Sequence, residues 1–109
     1  MNMIHTFQDS DWEDKISKEE IVCVQFSASW CAPCKQLSPV LEQLSENYSS
    51  CKFYYGDVEE GAINTGSAMG IRGVPSTIIF RKGVEVDRLV GFPGPAKVKE
   101  FLDSSISSE

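Results

Sequence analysis

The feature that most constrains this chain is a nearly continuous apolar run at residues 21–26, followed within a few residues by a pair of cysteines. The run, Ile-Val-Cys-Val-Gln-Phe, is rich in β-branched residues, and Gln25 is its only polar member. This pattern is typical of a strand that helices cover on both faces. A helical pattern begins near Ala32, inside the Cys31-Ala32-Pro33-Cys34 motif. We therefore predict a central strand that leads directly into a helix at the two cysteines.

Cys31 lies where this predicted helix begins. The amide groups of a first helical turn have no partner within the helix, and together with the helix dipole they stabilise a thiolate more than a thiol. The pKa of Cys31 is therefore expected to be lowered, which would make this residue a nucleophile. Its attack on a disulfide would give a mixed disulfide, which Cys34, one turn further on, would resolve.

The other apolar patterns are shorter and alternate between strand and helix types. Strands are predicted at residues 3–7, 52–55, 76–81 and 85–90. A first helix is predicted after an N-cap at Asp9 or Ser10, and a second from Ala32 onward with a kink at Pro39. A weak helix is predicted over residues 59–69, and a last helix from Gly94-Pro95 onward. Residues 82–84 are predicted to form a hairpin connection and residues 104–109 a frayed polar tail. This order predicts an α/β sandwich with a mixed sheet between helices on both faces.

Length and charge restrict the class of protein. A chain of 109 residues suits one domain, residues 1–109, and we expect a monomer. A formal net charge of -6, without clustered Lys and Arg, argues against nucleic acid as a partner. No apolar stretch is long enough for a signal peptide or a membrane span, so the default expectation is a cytoplasmic protein that does not bind membranes. There, a C-x-x-C in a chain with alternating strand and helix patterns is better explained by redox chemistry than by a disulfide framework.

Residues 26–35, Phe-Ser-Ala-Ser-Trp-Cys-Ala-Pro-Cys-Lys, resemble the active-site segment of thioredoxins. Further matches follow in the same order along the chain. Pro39 falls where a helix of the family kinks, residues 70–75 resemble the segment that carries its cis-proline, and Gly83 and Gly91 match its turn glycines. The likeness covers nearly the whole chain, and it implies a thioredoxin-like three-layer sandwich.

The resemblance also implies a thiol-disulfide oxidoreductase, and above all a general protein disulfide reductase. Its redox centre would be a Cys31–Cys34 disulfide with no bound cofactor. Electrons would come from NADPH through a thioredoxin reductase, which would be one partner beside disulfide-bearing protein substrates. The residues that the resemblance places around the thiols are Trp30, Ala32, Pro33, Val74, Pro75, Gly91 and Phe92, with Lys35 next to Cys34.

Three residues depart from the family pattern. Gln25 replaces the family's buried aspartate, Tyr55 replaces its lysine partner, and Ala32 replaces a glycine. An amide cannot take a proton at neutral pH, although it can hydrogen-bond a thiol or a water. Loss of the aspartate removes a base that could take the Cys34 proton, but it also removes a like charge that would raise the pKa of the Cys34 thiol. Because these two effects oppose each other, we expect the reaction to persist with an altered pH dependence.

Other functions fit some of these residues. An exported oxidant or isomerase would need a more oxidising potential, and a binding module would use the surface as a scaffold with incidental thiols. A closed zinc site would need four ligands, whereas Cys23, Cys51 and His5 are isolated from any second paired motif. The thioredoxin-like reductase is therefore the leading hypothesis.

Several residue roles have alternatives. Pro75 could be an ordinary turn proline, Phe92 could lie in the rim or in the core, and Lys35 could be a solvated residue. Cys23 is expected to be a small buried hydrophobe, while Cys51 is expected to be partly exposed at a strand start.

Overall fold

The computed structural model describes residues 4–106. The five strands are β1 (Ile4–Thr6), β2 (Ile21–Ser27), β3 (Lys52–Asp57), β4 (Ser76–Arg81) and β5 (Val84–Val90). The four helices are α1 (Asp9–Asp14), α2 (Ala32–Ser45), α3 (Ile63–Ala68) and α4 (Pro95–Ile106), and a 3-10 turn covers Ile16–Lys18. The order agrees with the prediction. Residue 3 of the predicted first strand and residues 107–109 of the predicted tail lie outside the described residues.

The five strands form one sheet in the order β1-β3-β2-β4-β5. β1 and β2 both run parallel to β3, while β4 is antiparallel to β2 and β5 is antiparallel to β4. The predicted central strand, β2, lies in the middle, and every residue from Ile21 to Ser27 is buried. The sheet is mixed, as predicted.

Alternation along β2 divides its side chains between two cores. Cys23 belongs to the cluster beneath α2 and α4, where it packs with Leu37 and Phe101. Val24 belongs to the cluster on the opposite face, where Trp12 of α1 lies. Helices therefore cover both faces of the sheet, which confirms the predicted α/β sandwich and the burial predicted for Cys23.

The cap predicted for α1, Asp9 or Ser10, is wrong. Gln8 is the N-cap residue, and its backbone N–H donates to the Asp11 carboxylate at 2.9 Å. The carboxylate of Asp9 accepts bonds from the Thr65 hydroxyl at 2.7 Å and from two backbone amides at the start of α3. Asp9 therefore satisfies a different helix, which the fold brings next to α1.

The last helix is longer than predicted, so the frayed tail is wrong for residues 104–106. Ser105 and Ile106 are buried within α4. Arg81 Nη2 donates to the carbonyl oxygen of Ile106 at 2.9 Å and so satisfies an acceptor at the helix end. Burial of Ile106 against the sheet keeps the last turn helical.

Other bounds differ by a few residues. The helix predicted over residues 59–69 is confined to α3, since backbone bonds to the Asp57 carbonyl hold residues 57–62 in turns. Lys82 and Gly83 have φ values of 49° and 82°, which suits a two-residue hairpin turn, and β5 therefore begins at Val84. α2 continues through Pro39, as predicted.

The prediction that Cys51 is partly exposed is wrong. Its exposed fraction is 0%, and it packs in the cluster beneath α2 and α4. Tyr48, which follows the end of α2, is also buried. No helix within residues 4–106 has the length and apolarity needed to cross a bilayer.

Candidate active site

Cys31 and Cys34 lie where β2 leads into α2. Cys31 is the N-cap residue of α2 and Cys34 belongs to its first turn. Their sulfur atoms form a disulfide, with the Cα atoms 5.3 Å apart. The backbone N–H of Cys34 donates toward Cys31 Sγ at 3.2 Å. A donor in this position stabilises negative charge on the sulfur of Cys31 when the disulfide is reduced.

The disulfide is shielded, although the residue before it is open to solvent. Cys31 and Cys34 are each 2% exposed, and they pack with Ala28 and with the partly buried Val74. Trp30 is 65% exposed. The two cysteines of the oxidised centre are therefore buried to the same extent.

A loop pair flanks the disulfide on the side of β4. The Val74–Pro75 peptide bond is cis, as the resemblance implies. The Val74 carbonyl oxygen lies 3.6 Å from Cys31 Sγ, which is a packing contact because a disulfide sulfur carries no hydrogen. Gly91 has a φ of 88° and donates its N–H to the Pro75 carbonyl at 2.7 Å. Phe92 is half-buried against the cluster beneath α2 and α4, so it belongs neither wholly to the exposed rim nor wholly to the core.

The exposed face of the motif consists of four residues. Ala32, Pro33 and Lys35 are exposed beside Trp30. Trp30 Nε1 donates to Glu59 Oε1 at 2.8 Å, a bond that orients the indole ring toward the segment after β3. The exposure of Lys35 agrees with the solvated alternative for its role.

Gln25 lies beneath the first turn of α2 and is fully buried. Its Nε2 donates to Ser27 Oγ at 2.7 Å and to Ser38 Oγ at 3.0 Å, and lies 3.3 Å from the Cys34 carbonyl oxygen. Ser38 Oγ in turn lies 3.0 Å from that carbonyl oxygen and 3.2 Å from Gln25 Oε1. The surroundings of Cys34 are therefore polar and uncharged.

Tyr55 and Thr77 lie opposite Gln25 on the two neighbouring strands. Burial and the Asp57 carboxylate raise the pKa of the Tyr55 hydroxyl above its ordinary value of 10.0, so this side chain is neutral at physiological pH. Thr77 is buried, and its Oγ1 has no hydrogen-bond partner among residues 4–106. Gln25 and Tyr55, which replace the family's aspartate and lysine, are thus both neutral.

Sequence reasoning missed Ser27, Ser38, Glu59 and Thr77. Two of these had a local signal, because strand alternation places Ser27 on the face of Gln25 and helical spacing places Ser38 one turn after Cys34. Glu59 and Thr77 had none, since strand order and loop path alone bring them to the site. Among the described residues, no three His, Cys, Asp or Glu side chains come close enough to hold a metal ion.

Comparison with known proteins gives one family. The family model described as Thioredoxin matches residues 3–104. The chain is 34% identical over 93 residues to Thioredoxin-1 of Saccharomyces cerevisiae, covering 85% of this chain and 88% of the relative. It is 34% identical over 110 residues to a thioredoxin of Buchnera aphidicola, covering 98% and 100%.

A third relative is longer than this chain. Thioredoxin M4, a chloroplastic protein of Arabidopsis thaliana, is 34% identical over 105 residues, and the match covers 94% of this chain but only 52% of the relative. The chain therefore spans about half the length of that protein.

Solved structures agree with the fold. A mutant thioredoxin from Halobacterium salinarum superposes with a TM-score of 0.83 at 30% identity, covering 98% of this chain and 94% of that one. The oxidised thioredoxin of Plasmodium falciparum superposes with a TM-score of 0.84 at 27% identity, covering 94% and 98%. These likenesses confirm the three-layer fold class.

Proposed function

This chain belongs to the thioredoxin family, and from that membership we propose that it is a general protein disulfide reductase. The broader class, thiol-disulfide oxidoreductase, follows from the family and from the Cys31–Cys34 disulfide. The observation that carries the proposal is the Cys34 N–H, which lies 3.2 Å from Cys31 Sγ at the start of α2. This donor favours Cys31 as the attacking thiolate.

In the proposed reaction, the Cys31 thiolate bonds to one sulfur of the substrate disulfide, and the other sulfur leaves as a thiolate. The thiolate of Cys34 then attacks Cys31 Sγ, and the bond between Cys31 and the substrate breaks. The second substrate sulfur leaves as a thiolate, and both leaving groups take protons from solvent. The substrate gains two electrons, and the chain ends as the Cys31–Cys34 disulfide.

The exposed residues around the disulfide are proposed to bind the substrate segment. A backbone hydrogen bond joins Gly91 to Pro75, and the Val74 carbonyl oxygen contacts Cys31 Sγ. The two loops that carry these residues are therefore suited to hold an extended peptide beside the sulfur. The complete proposed contact set is Trp30, Ala32, Pro33, Val74, Pro75, Gly91 and Phe92. Gln25 and Tyr55 would influence Cys34 from beneath the first turn of α2, and Lys35 would lie at the edge of the contact surface.

We propose that electrons come from NADPH through a thioredoxin reductase and that no cofactor is bound by the chain itself. A monomer of one domain in the cytoplasm, without nucleic acid or membrane partners, is the working hypothesis. The names of relatives include a chloroplastic protein and a mitochondrial one, so location is a separate question from activity.

The test is the reduction of insulin disulfides, driven either by NADPH with a thioredoxin reductase or by dithiothreitol. We expect turnover with both electron sources and its loss in Cys31→Ser, because Cys31 is the N-cap residue whose sulfur faces the Cys34 N–H. Cys34→Ser should accumulate a mixed disulfide with the substrate.

The matched control is Cys51→Ala, which removes a buried thiol remote from α2's first turn and should keep its turnover. Absence of turnover with dithiothreitol, or turnover that survives Cys31→Ser, would contradict the proposal and favour a binding module with incidental thiols.

A further inference from the structure

The hydrogen bonds beneath Cys34 can be ordered by counting hydrogens. Gln25 Nε2 carries two, and its two shortest contacts are Ser27 Oγ at 2.7 Å and Ser38 Oγ at 3.0 Å. Ser38 Oγ carries one hydrogen, and its shorter contact is the Cys34 carbonyl oxygen at 3.0 Å rather than Gln25 Oε1 at 3.2 Å. The bonds therefore form a chain from the Gln25 amide through the Ser38 hydroxyl to the Cys34 carbonyl.

These linked hydrogen bonds connect the first turn of α2 to the central strand, β2. Pro39 has no N–H, so the carbonyl of Lys35 lacks its usual donor in the helix, and the turn ahead of Pro39 is weakened. The carbonyl of Cys34 is the neighbouring one, and it receives the Ser38 hydroxyl. The bond thus gives the first turn of α2 a side-chain partner next to the place where proline removes a backbone hydrogen bond.

We propose that Ser38 is a positioning residue for the resolving thiol, linking Gln25 to Cys34 in a neutral clamp. The proposal deepens the reductase function and rests on it. In the mixed disulfide Cys34 is no longer bonded to Cys31, so its geometry depends on how firmly the first turn is held. Correct orientation raises the rate of an intramolecular attack.

The clamp contains no group that titrates near neutral pH. Its contribution is therefore geometric, and the clamp itself supplies no base for the proton of Cys34. A clamp of this kind changes the rate of resolution by the same factor at every pH, whereas a proton relay would change the pH at which the rate rises.

The two steps can be separated with an aromatic disulfide, dithiobis(nitrobenzoate), and the reduced full-length protein. Attack by Cys31 releases one coloured thiolate, and resolution by Cys34 releases a second. Both phases are recorded from about pH 5 to about pH 9, a range that spans thiol ionisation. In Ser38→Ala we expect the second phase to slow about three- to tenfold at every pH, the equivalent of one hydrogen bond, with the first phase unchanged.

Three further variants make the result specific. Ser38→Thr keeps a hydroxyl that can bond to the same carbonyl, and it should restore the second phase to within about twofold of wild type. Ser45→Ala removes a buried hydroxyl of the same helix that bonds to the Glu42 carbonyl, and it should leave both phases unchanged. Gln25→Glu places a buried carboxylate in the clamp and should add an inflection to the pH profile, because burial raises the pKa of a carboxyl group.

An unchanged second phase in Ser38→Ala would overturn the proposal, as would an equal slowing of both phases or a displaced inflection. Failure of Ser38→Thr to restore the rate in a folded protein would do the same. The small aromatic disulfide reports on the clamp even if insulin is not reduced, so failure of the reductase proposal is distinguishable from failure of this one.

Discussion

Beneath the disulfide, Gln25 and Thr77 lie side by side on β2 and β4 and differ in their hydrogen bonding. The Gln25 Nε2 group donates both of its hydrogens, whereas Thr77 Oγ1 is buried without a partner among residues 4–106. A buried hydroxyl without a partner keeps its full cost of desolvation. The Thr77 hydroxyl should therefore contribute nothing favourable to the free energy of unfolding.

We predict that Thr77→Val leaves the free energy of unfolding unchanged or raises it by up to about 1 kcal/mol, because the variant keeps the shape and removes an unpaired hydroxyl. The measurement is urea denaturation. The matched control is Thr65→Val, whose hydroxyl bonds to the Asp9 carboxylate at 2.7 Å and whose loss should cost about 1–3 kcal/mol. Equal losses in both variants would show that Thr77 Oγ1 has a partner.

Among the helices, α3 depends most on a neighbouring segment. It has six residues, no side-chain cap of its own and a glycine in its interior. Its first amides are satisfied by Asp9, which begins α1. Burial alone would raise the pKa of Asp9, but the hydrogen bonds from Thr65 and Asn64 hold it below the ordinary value of 3.8.

We predict that Asp9→Ala lowers the free energy of unfolding near neutral pH by about 1 kcal/mol, the usual effect of losing a helix cap. Because the folded protein holds the Asp9 pKa below its unfolded value, the contribution is complete above the ordinary value and is lost as the pH falls through the folded value. The difference between wild type and variant should therefore shrink below pH 3.8 in urea denaturation at a series of pH values.

Asp14→Ala is the control for this series, since Asp14 is an exposed aspartate at the other end of α1. It should show no loss of stability at neutral pH. A difference for Asp9→Ala that persists unchanged into acid would contradict the role of the Asp9 charge.

Over the whole molecule, the core beneath α2 and α4 encloses the two cysteines that lie outside the redox pair. Cys23 and Cys51 lie outside the disulfide pair, and both are buried in the cluster beneath α2 and α4. Burial, with a smaller effect of Cys51, raises the pKa of Cys23 well above its ordinary value. Burial also raises the pKa of Cys51 to about 12, so neither thiol is a nucleophile in the folded protein.

We predict that the reduced protein reacts rapidly through two thiols with dithiobis(nitrobenzoate), and through all four cysteines only in urea. The measurement is the amount of coloured thiolate released per chain. A variant with both Cys31→Ser and Cys34→Ser should show no rapid reaction when folded. Rapid reaction of three or more thiols in the native protein would contradict the burial of Cys23 or Cys51.

The sequence by itself determined the features that depend on local pattern. The apolar run of β2 predicted a strand covered on both faces, and the C-x-x-C next to a helical pattern predicted a thiol at a helix start. Pro39 acts through its restricted backbone and Gly83 through its freedom to adopt a positive φ, so their effects could be predicted from position alone. The element order and the redox pair followed from these signals.

Only the tertiary structure decided which distant side chains meet. Asp9 was expected to cap its own helix but satisfies α3, and Cys51 was expected near the surface but lies in a core, because helix and strand packing sets both environments. The contacts of Gln25 with Ser38 and Cys34 depend on how α2 lies across β2. Hydrogen bonding and burial act over a few ångströms in space, whereas sequence pattern reports only neighbours along the chain, and that difference separates what was predictable from what was not.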